Sequence, residues 1–105
     1  MSNMNVANEI NRQIKAMDFW CHAYIGVKQA IAMERDGKPG LTYICTRGVR
    51  VEILLNEGQD LYEVYSYKMG RGANRYTPSY KYQSLEVFID ELSSVVCKAY
   101  DTAIN

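Results

Sequence analysis

A reactive site in this sequence would be built around Cys21 and His22, with Asp18 one helical turn away from the histidine. A thiol, an imidazole and a carboxylate are the groups of a nucleophilic or metal centre, and Cys45 could add a second sulfur from a strand. Adjacent residues of a helix point in different directions, however, and the chain has only one histidine. We therefore interpret this group as a buried thiol beside a surface histidine, and predict no catalytic residue, no metal site and no cofactor.

The three cysteines, Cys21, Cys45 and Cys97, are odd in number, and their spacing fits no metal-ligand motif. We interpret them as reduced thiols, which are typical of a cytoplasmic protein. The start of the chain lacks the charged and apolar regions of a signal peptide, and no stretch approaches the roughly 20 apolar residues that span a bilayer. The sequence therefore predicts a cytoplasmic protein that does not associate with membranes.

Positive charge is concentrated in residues 64–85, which contain four basic side chains and no acidic one, although the whole chain is neutral. Tyrosines are interleaved with these basic residues. Such a pattern can neutralise phosphates and stack on unpaired bases, or it can contact an acidic protein surface. The candidate contact residues are Lys68, Arg71, Arg75, Tyr76, Tyr80 and Lys81. An ordinary solvated loop is the other interpretation.

The first elements of structure follow from apolar periodicity. An amphipathic helix is predicted over residues 5–17, where apolar side chains recur on one stripe. Residues 17–34 fit a helix that breaks near Gly26, although the run 27–33 also alternates as a strand does; the helix is the favoured interpretation. The glycines and proline of residues 36–40 then predict a turn.

Three strands, at residues 41–46, 49–56 and 61–69, form the next part of the prediction. Ser84 is predicted to cap a last helix. Its apolar stripe is expected in the core: Leu85, Phe88, Leu92, Val95 and Val96. The sequence thus predicts one α+β domain over residues 1–105. We expect a small antiparallel meander of three or four strands, with an N-terminal and a C-terminal helix packed on one face.

One face of the predicted meander is apolar and should meet the helices, whereas the other, the outer face, should collect tyrosines. We expect a protein-binding surface there, formed by Tyr43, Arg50, Leu54, Tyr65 and Tyr67. The expected apolar area is larger than one domain normally exposes, and the mixed charges suit a symmetric copy of the same surface. A homodimer contact is the simplest expectation. Tyrosines that merely favour strand formation are the alternative.

Five segments of the chain resemble a pattern found in small uncharacterised α+β proteins of bacteriophages and mobile elements. They are Val6-Ala7-Asn8-Glu9-Ile10, Gly26-Val27-Lys28-Gln29, Leu41-Thr42-Tyr43-Ile44, Val51-Glu52-Ile53-Leu54-Leu55 and Asp60-Leu61-Tyr62-Glu63-Val64. The resemblance implies no activity, catalytic residue or cofactor. By analogy, such proteins are often inhibitors of host defence, including anti-CRISPR proteins, which occupy a surface rather than turn over a substrate.

The sequence therefore favours a non-enzymatic protein-binding module of phage or mobile-element type, with inhibition of a host defence complex such as CRISPR-Cas as its expected role. Its expected partners are a host protein complex and a second copy of the chain. The alternative is a nucleic-acid-binding accessory protein that uses residues 68–82. Steep loss of affinity with salt would distinguish this alternative from a largely apolar tyrosine interface.

Overall fold

The computed structural model of the chain describes residues 3–68 and 80–104. In chain order the elements are α1 (Asn3–Met17), α2 (Phe19–Tyr24), β1 (Gln29–Arg35), β2 (Lys38–Ile44), β3 (Val49–Asn56), β4 (Leu61–Lys68), β5 (Tyr80–Val87) and α3 (Leu92–Ile104). Short 3-10 turns lie at Thr46–Gly48 and Ile89–Glu91. The strands form a single antiparallel sheet in the order β1-β2-β3-β4-β5, so every strand pairs with its neighbour in the chain.

The first two helices follow the predicted apolar stripe and then stop at defined residues. Val6, Ile10 and Ile14 are all buried on one side of α1. The Asp18 carboxylate accepts a hydrogen bond of 3.0 Å from a backbone N–H in the first turn of α2, which caps that helix. Gly26 follows α2 with φ +63°, a left-handed conformation that ends the helical run.

The helix predicted to continue beyond Gly26 is wrong, because residues 29–35 are the strand β1. The Asp36-Gly37 pair turns the chain with φ values of +54° and +77°, as a two-residue hairpin turn requires. Lys38, which we expected within the turn, already begins β2. Pairing with β2 supplies backbone hydrogen bonds along β1, and this outweighs a weak local preference for helix.

The prediction that Tyr43 lies on the outer face is wrong, because the register of β2 against β3 differs by one residue from the one that it requires. The connection is the three-residue turn Thr46–Gly48, in which Arg47 has φ +63°, and not a two-residue turn. Ile44 therefore lies opposite Arg50, and Tyr43 lies opposite Val51. Since side chains alternate between faces, this single step places on the helix side the β2 residues that were expected on the outer face. Tyr43 is fully buried there, and not on the outer face.

The last predicted helix begins too early. Residues 80–87 form β5, paired with β4, and α3 starts only at Leu92 after a 3-10 turn. Leu85 and Phe88 were expected in the core, but they are 51% and 58% exposed. Leu92 and Val96 are fully buried, as the apolar stripe predicts for that part of the helix.

The two long helices divide one side of the sheet between them. Helix α1 contacts β1 and β2, and α3 contacts β3, β4 and β5. Tyr43 donates a hydrogen bond of 2.7 Å to Asn11 of α1, while Ser66, buried on the same side, donates one of 2.7 Å to the Ala99 carbonyl of α3. Most of the buried apolar residues form one cluster between these layers.

The fold is therefore α+β, but the predicted arrangement is wrong in detail. The sheet has five strands instead of three or four, and the part of the chain that the structure describes contains a third, short helix. None of the helices in this part is long and apolar enough to cross a membrane.

Candidate functional site

The residues considered above for a reactive site, Cys21, His22 and Asp18, each make a structural contact instead. Cys21 is bonded to Cys97 in a disulfide that joins α2 to α3, with Cα atoms 6.0 Å apart. The interpretation of these two cysteines as reduced thiols is therefore wrong. Asp18 caps α2, and the His22 ring packs edge-on against Tyr43 with centroids 5.5 Å apart. Burial, with a contribution from nearby positive charge, lowers the pKa of His22, so its neutral form is favoured.

Cys45 is the free cysteine, and its surroundings make it unreactive. It is buried, and burial raises the pKa of its thiol to about 12. A thiolate, which is the nucleophilic and metal-binding form, is therefore strongly disfavoured. Among residues 3–68 and 80–104, no three histidine, cysteine or acidic side chains come together as a metal site would require.

The outer face is the side of the sheet away from the helices. The register places Arg50 opposite Tyr67, and Glu52 opposite Tyr65, on this face. It also places Leu54 there, opposite Glu63. Four of the five predicted protein-binding residues thus share the outer face, and Tyr43 does not.

The outer face is partly covered by side chains from the β1–β2 hairpin. Arg35 Nη1 lies 2.5 Å from Glu52 Oε1, and Lys38 Nζ lies 2.8 Å from Glu63 Oε2. Leu54, on the same face, is only 1% exposed. The acidic groups that we expected to meet a symmetric copy are therefore paired within the chain.

Beside these ion pairs lies a cluster of aromatic rings around one guanidinium group. Tyr80 contacts Tyr65 and Tyr67, with ring centroids 5.6 Å and 5.3 Å apart. The guanidinium carbon of Arg35 lies 4.4 Å from the centroid of Tyr65, and Arg35 donates a hydrogen bond of 2.5 Å to the Tyr80 hydroxyl. We call Arg35, Tyr65, Tyr67 and Tyr80 the tyrosine–arginine cluster. It draws residues from β1, β4 and β5.

The protonation states near the cluster are fixed by burial and by these contacts. Burial raises the pKa of Glu63, but hydrogen bonds from Lys38 and Tyr65 outweigh it and hold the pKa below its usual range. Burial and the bond to Glu63 raise the pKa of Tyr65, and burial and nearby Glu52 raise that of Tyr80. Near neutral pH Glu63 is ionised and both phenols are protonated. These groups are suited to hydrogen bonding and ring contact and not to exchanging protons.

The predicted basic segment is only partly described. Lys68 is exposed at the end of β4, Tyr80 belongs to the cluster, and Lys81 lies in β5. Arg71, Arg75 and Tyr76 lie outside the described residues. Because the chain is continuous from Lys68 to Tyr80, the segment that carries them begins and ends at the strands that hold the cluster.

Two features were missed from the sequence. Arg35 was assigned to no site, because it lies between the helix expected over residues 17–34 and the turn expected over residues 36–40, and no strand was predicted there. The second feature is a cleft of about 210 Å³ between α1 and β1, lined by Ala7, Asn8, Asn11, Gln29, Ala30, Ile31, Ala32 and Leu41. The Asp36-Gly37 pair, a common hairpin turn sequence, was the signal that could have revealed both.

The fold and the site together define an α+β domain with a covered, tyrosine-rich outer sheet face. Comparison of the chain with models of known protein families, with known proteins and with solved structures gave no match.

Proposed function

We propose that the chain is a protein-binding module that contacts its partner through the tyrosine–arginine cluster. The observation that supports this proposal is the contact of the Tyr80 ring with Tyr65 and Tyr67, and of Arg35 with Tyr65 and Tyr80. Tyr80 is still 44% exposed at the surface. Tyrosine and arginine are enriched among the residues that dominate binding energies. Rings that are already held in place lose little conformational entropy when a partner binds.

The charge around the cluster favours an acidic partner. Glu52 and Glu63, the two carboxylates on this face, are neutralised by Arg35 and Lys38. Lys68 is exposed at the end of β4, and along the sequence residues 64–85 carry four basic residues and no acidic one. A partner that presents carboxylates would therefore be attracted, and an acidic partner would be selected over a basic one.

A matched pair of variants tests this proposal. Tyr80→Ala removes the exposed ring of the cluster, and Tyr24→Ala removes an equally accessible tyrosine on α2, which is 57% exposed. The immobilised wild-type protein and both variants are presented with cell lysate, and the retained proteins are identified. We expect a protein that wild type and Tyr24→Ala retain and that Tyr80→Ala binds about tenfold or more weakly. Equal retention by all three would contradict the proposal.

The second candidate function is binding of single-stranded nucleic acid. Lys68 and Tyr80 favour it, because both are exposed, and a positive charge can hold a phosphate while a partly exposed aromatic ring can stack a base. Binding of a labelled oligonucleotide at about 50 mM and about 200 mM salt distinguishes the two. A steep loss of affinity with salt, together with weaker binding by Tyr80→Ala, would favour nucleic acid. The narrower role, inhibition of a host defence complex, is motivated by the resemblance to phage proteins alone and stays a prediction.

A further inference from the structure

Strand β1 forms one edge of the sheet, so one side of its backbone faces away from β2. All seven residues of β1 pair one to one with β2 up to the Asp36-Gly37 turn. Arg35 and Lys38 flank the two-residue turn, and residues in these positions form a hydrogen-bonded pair. Every second residue of β1, counted back from Arg35, is therefore bonded to β2, and the residues between them turn their N–H and C=O groups outward. In β1 these are Ala30, Ala32 and Glu34. The edge therefore offers a regular row of donors and acceptors to another strand.

The opposite edge of the sheet is different. The pairing of β4 with β5 shifts register at two places, and Glu86 has φ +63° within β5. Bulges of this kind twist an edge and hinder addition of another strand. The residues of β1 include no proline, and the pairing of β1 with β2 has no shift of register. Of the two edges, β1 is thus the one prepared for strand addition.

We infer that β1 pairs with β1 of a second copy of the chain, antiparallel about a two-fold axis through Ala32. The two five-stranded sheets then join into one continuous sheet. In this register Ala32 lies opposite its own copy, and Ala30 lies opposite Glu34 of the second copy. The register uses the full length of β1, and it places all three outward-facing residues in hydrogen-bonded pairs.

The side chains along β1 are complementary to their own copies in this register. On the outer face Ile31, which is 41% exposed, lies opposite Met33 of the second copy, so two apolar side chains cover each other. Just beyond the ends of the strand, Lys28 lies opposite Asp36, and both residues are exposed. Opposite charges therefore meet at both ends of the contact, as a two-fold interface requires.

The position of α1 agrees with the same arrangement. Because α1 contacts both β1 and β2, it lies over the boundary between them. Neighbouring strands are about 4.8 Å apart. The two-fold axis lies midway between the two β1 strands, so the axis of α1 is about one strand spacing away from it. The two α1 helices therefore lie about 10 Å apart. Packed helices are separated by about 8 to 10 Å. Ala7 and Asn8 line this side of α1, so the second helix would close the cleft between α1 and β1.

The test measures the mass of the full chain in solution together with the exchange of its β1 amides. Light scattering on the wild-type protein should give twice the chain mass at about 100 μM, a concentration at which even a weak micromolar dimer is populated. Amide hydrogen exchange at Ala30, Ala32 and Glu34 should slow as the protein concentration rises, because these N–H groups become bonded in the dimer.

Two variants of β1 and one control make the test specific. Ile31→Lys places like charges near the two-fold axis, and Ala32→Pro removes an outward N–H that the monomer does not use. Each should raise the dimer dissociation constant about tenfold or more while the circular dichroism of the fold is retained. Leu85→Lys, at a similarly exposed apolar residue near the other edge, should leave the dimer intact.

Three results would overturn the inference. The first is a wild-type monomer at about 100 μM. The second is a dimer that a folded Ile31→Lys or Ala32→Pro variant leaves unchanged, which would place the contact elsewhere. The third is a dimer in which exchange at Ala32 does not slow with concentration.

Discussion

Reduction of the disulfide between Cys21 and Cys97 should remove a large part of the stability of this domain. The bond closes a loop between residues 76 positions apart in the sequence. Restricting the unfolded chain over a loop of this length stabilises the folded state by about 4 kcal/mol in the chain-entropy treatment. Small domains are stable by only about 5 to 15 kcal/mol, so the reduced protein should be marginal.

The assay is urea unfolding followed by far-ultraviolet circular dichroism, with and without a phosphine reductant. We expect reduction to lower the unfolding free energy of the wild type by about 2 to 4 kcal/mol, since engineered and native bonds often give less than the entropy estimate. The double variant Cys21→Ser/Cys97→Ser should not respond to the reductant. Cys45→Ala, which leaves the bond in place, should respond as the wild type does.

Two observations would refute this reasoning. One is an unfolding free energy that changes by less than about 0.5 kcal/mol on reduction, the range of an ordinary surface substitution. The other is a thiol count in denaturant, without reductant, that finds all three cysteines of the chain reactive and not Cys45 alone.

Three further predictions concern the core, the sheet and the acid response. Leu92→Ala, at a fully buried site, should lower the unfolding free energy by about 2 to 5 kcal/mol, and Leu85→Ala, at a 51% exposed site, by less than about 0.5 kcal/mol; equal losses would contradict the assigned start of α3. Gly40→Ala should cost about 3 kcal/mol or more, because its Cβ would lie 2.1 Å from a backbone oxygen of β3, whereas Gly58→Ala, with nothing closer than 3.6 Å, should cost less than about 1 kcal/mol in the same urea titration. Since the pKa of Glu63 is lowered in the folded state, its contribution is complete above the ordinary carboxylate pKa of about 4.3 and is lost as the pH falls below it. Glu63→Gln should therefore flatten the acid side of the stability curve, and parallel curves would contradict the assigned ion pair.

Much of the fold was predictable where local signals and long-range pairing agree. The stripe of α1 and the strands β3 and β4 were predicted close to their observed bounds, since apolar periodicity and turn residues both point to them. Tyr65 and Tyr67 lie on the same face as Arg50 and Leu54, as predicted, because the turn between β3 and β4 fixes the register of these two strands.

Elements that depend on a distant partner were not predicted. Residues 80–87 carry an apolar spacing that also suits a helix, and only pairing with β4 decides for a strand. The sequence of residues 29–35 suits either a helix or a strand. The Asp36-Gly37 turn makes it a strand, because it brings these residues back against β2. The face on which Tyr43 lies was predicted wrongly, because it depends on the length of the turn at Thr46–Gly48. Apolar periodicity does not reveal the length of a turn.

The outer face could not be predicted, because its main contacts join residues that are far apart in the chain. The predicted residues of β3 and β4 do share that face, whereas Tyr43 of β2 lies on the opposite one. Arg35 and Lys38 then cross over them from the β1–β2 hairpin and pair with Glu52 and Glu63. A register argument that treats three strands alone leaves those carboxylates free for a partner.

Strand β1 links the two proposals, because its side chains and its backbone edge point in different directions. The Arg35 side chain reaches the tyrosine–arginine cluster, while the backbone beside Ala32 faces away from the sheet. Addition of a second copy at the edge restrains β1, so Arg35 would lose less conformational entropy when the cluster binds a partner. By thermodynamic reciprocity, the partner should then strengthen the dimer by the same factor. Ile31→Lys, at a position four residues from Arg35 along β1 and opposite Thr42, should therefore weaken partner binding by a few-fold, typical of such coupling. Equal affinity of the dimer and of this monomeric variant would show that the cluster and the edge act independently.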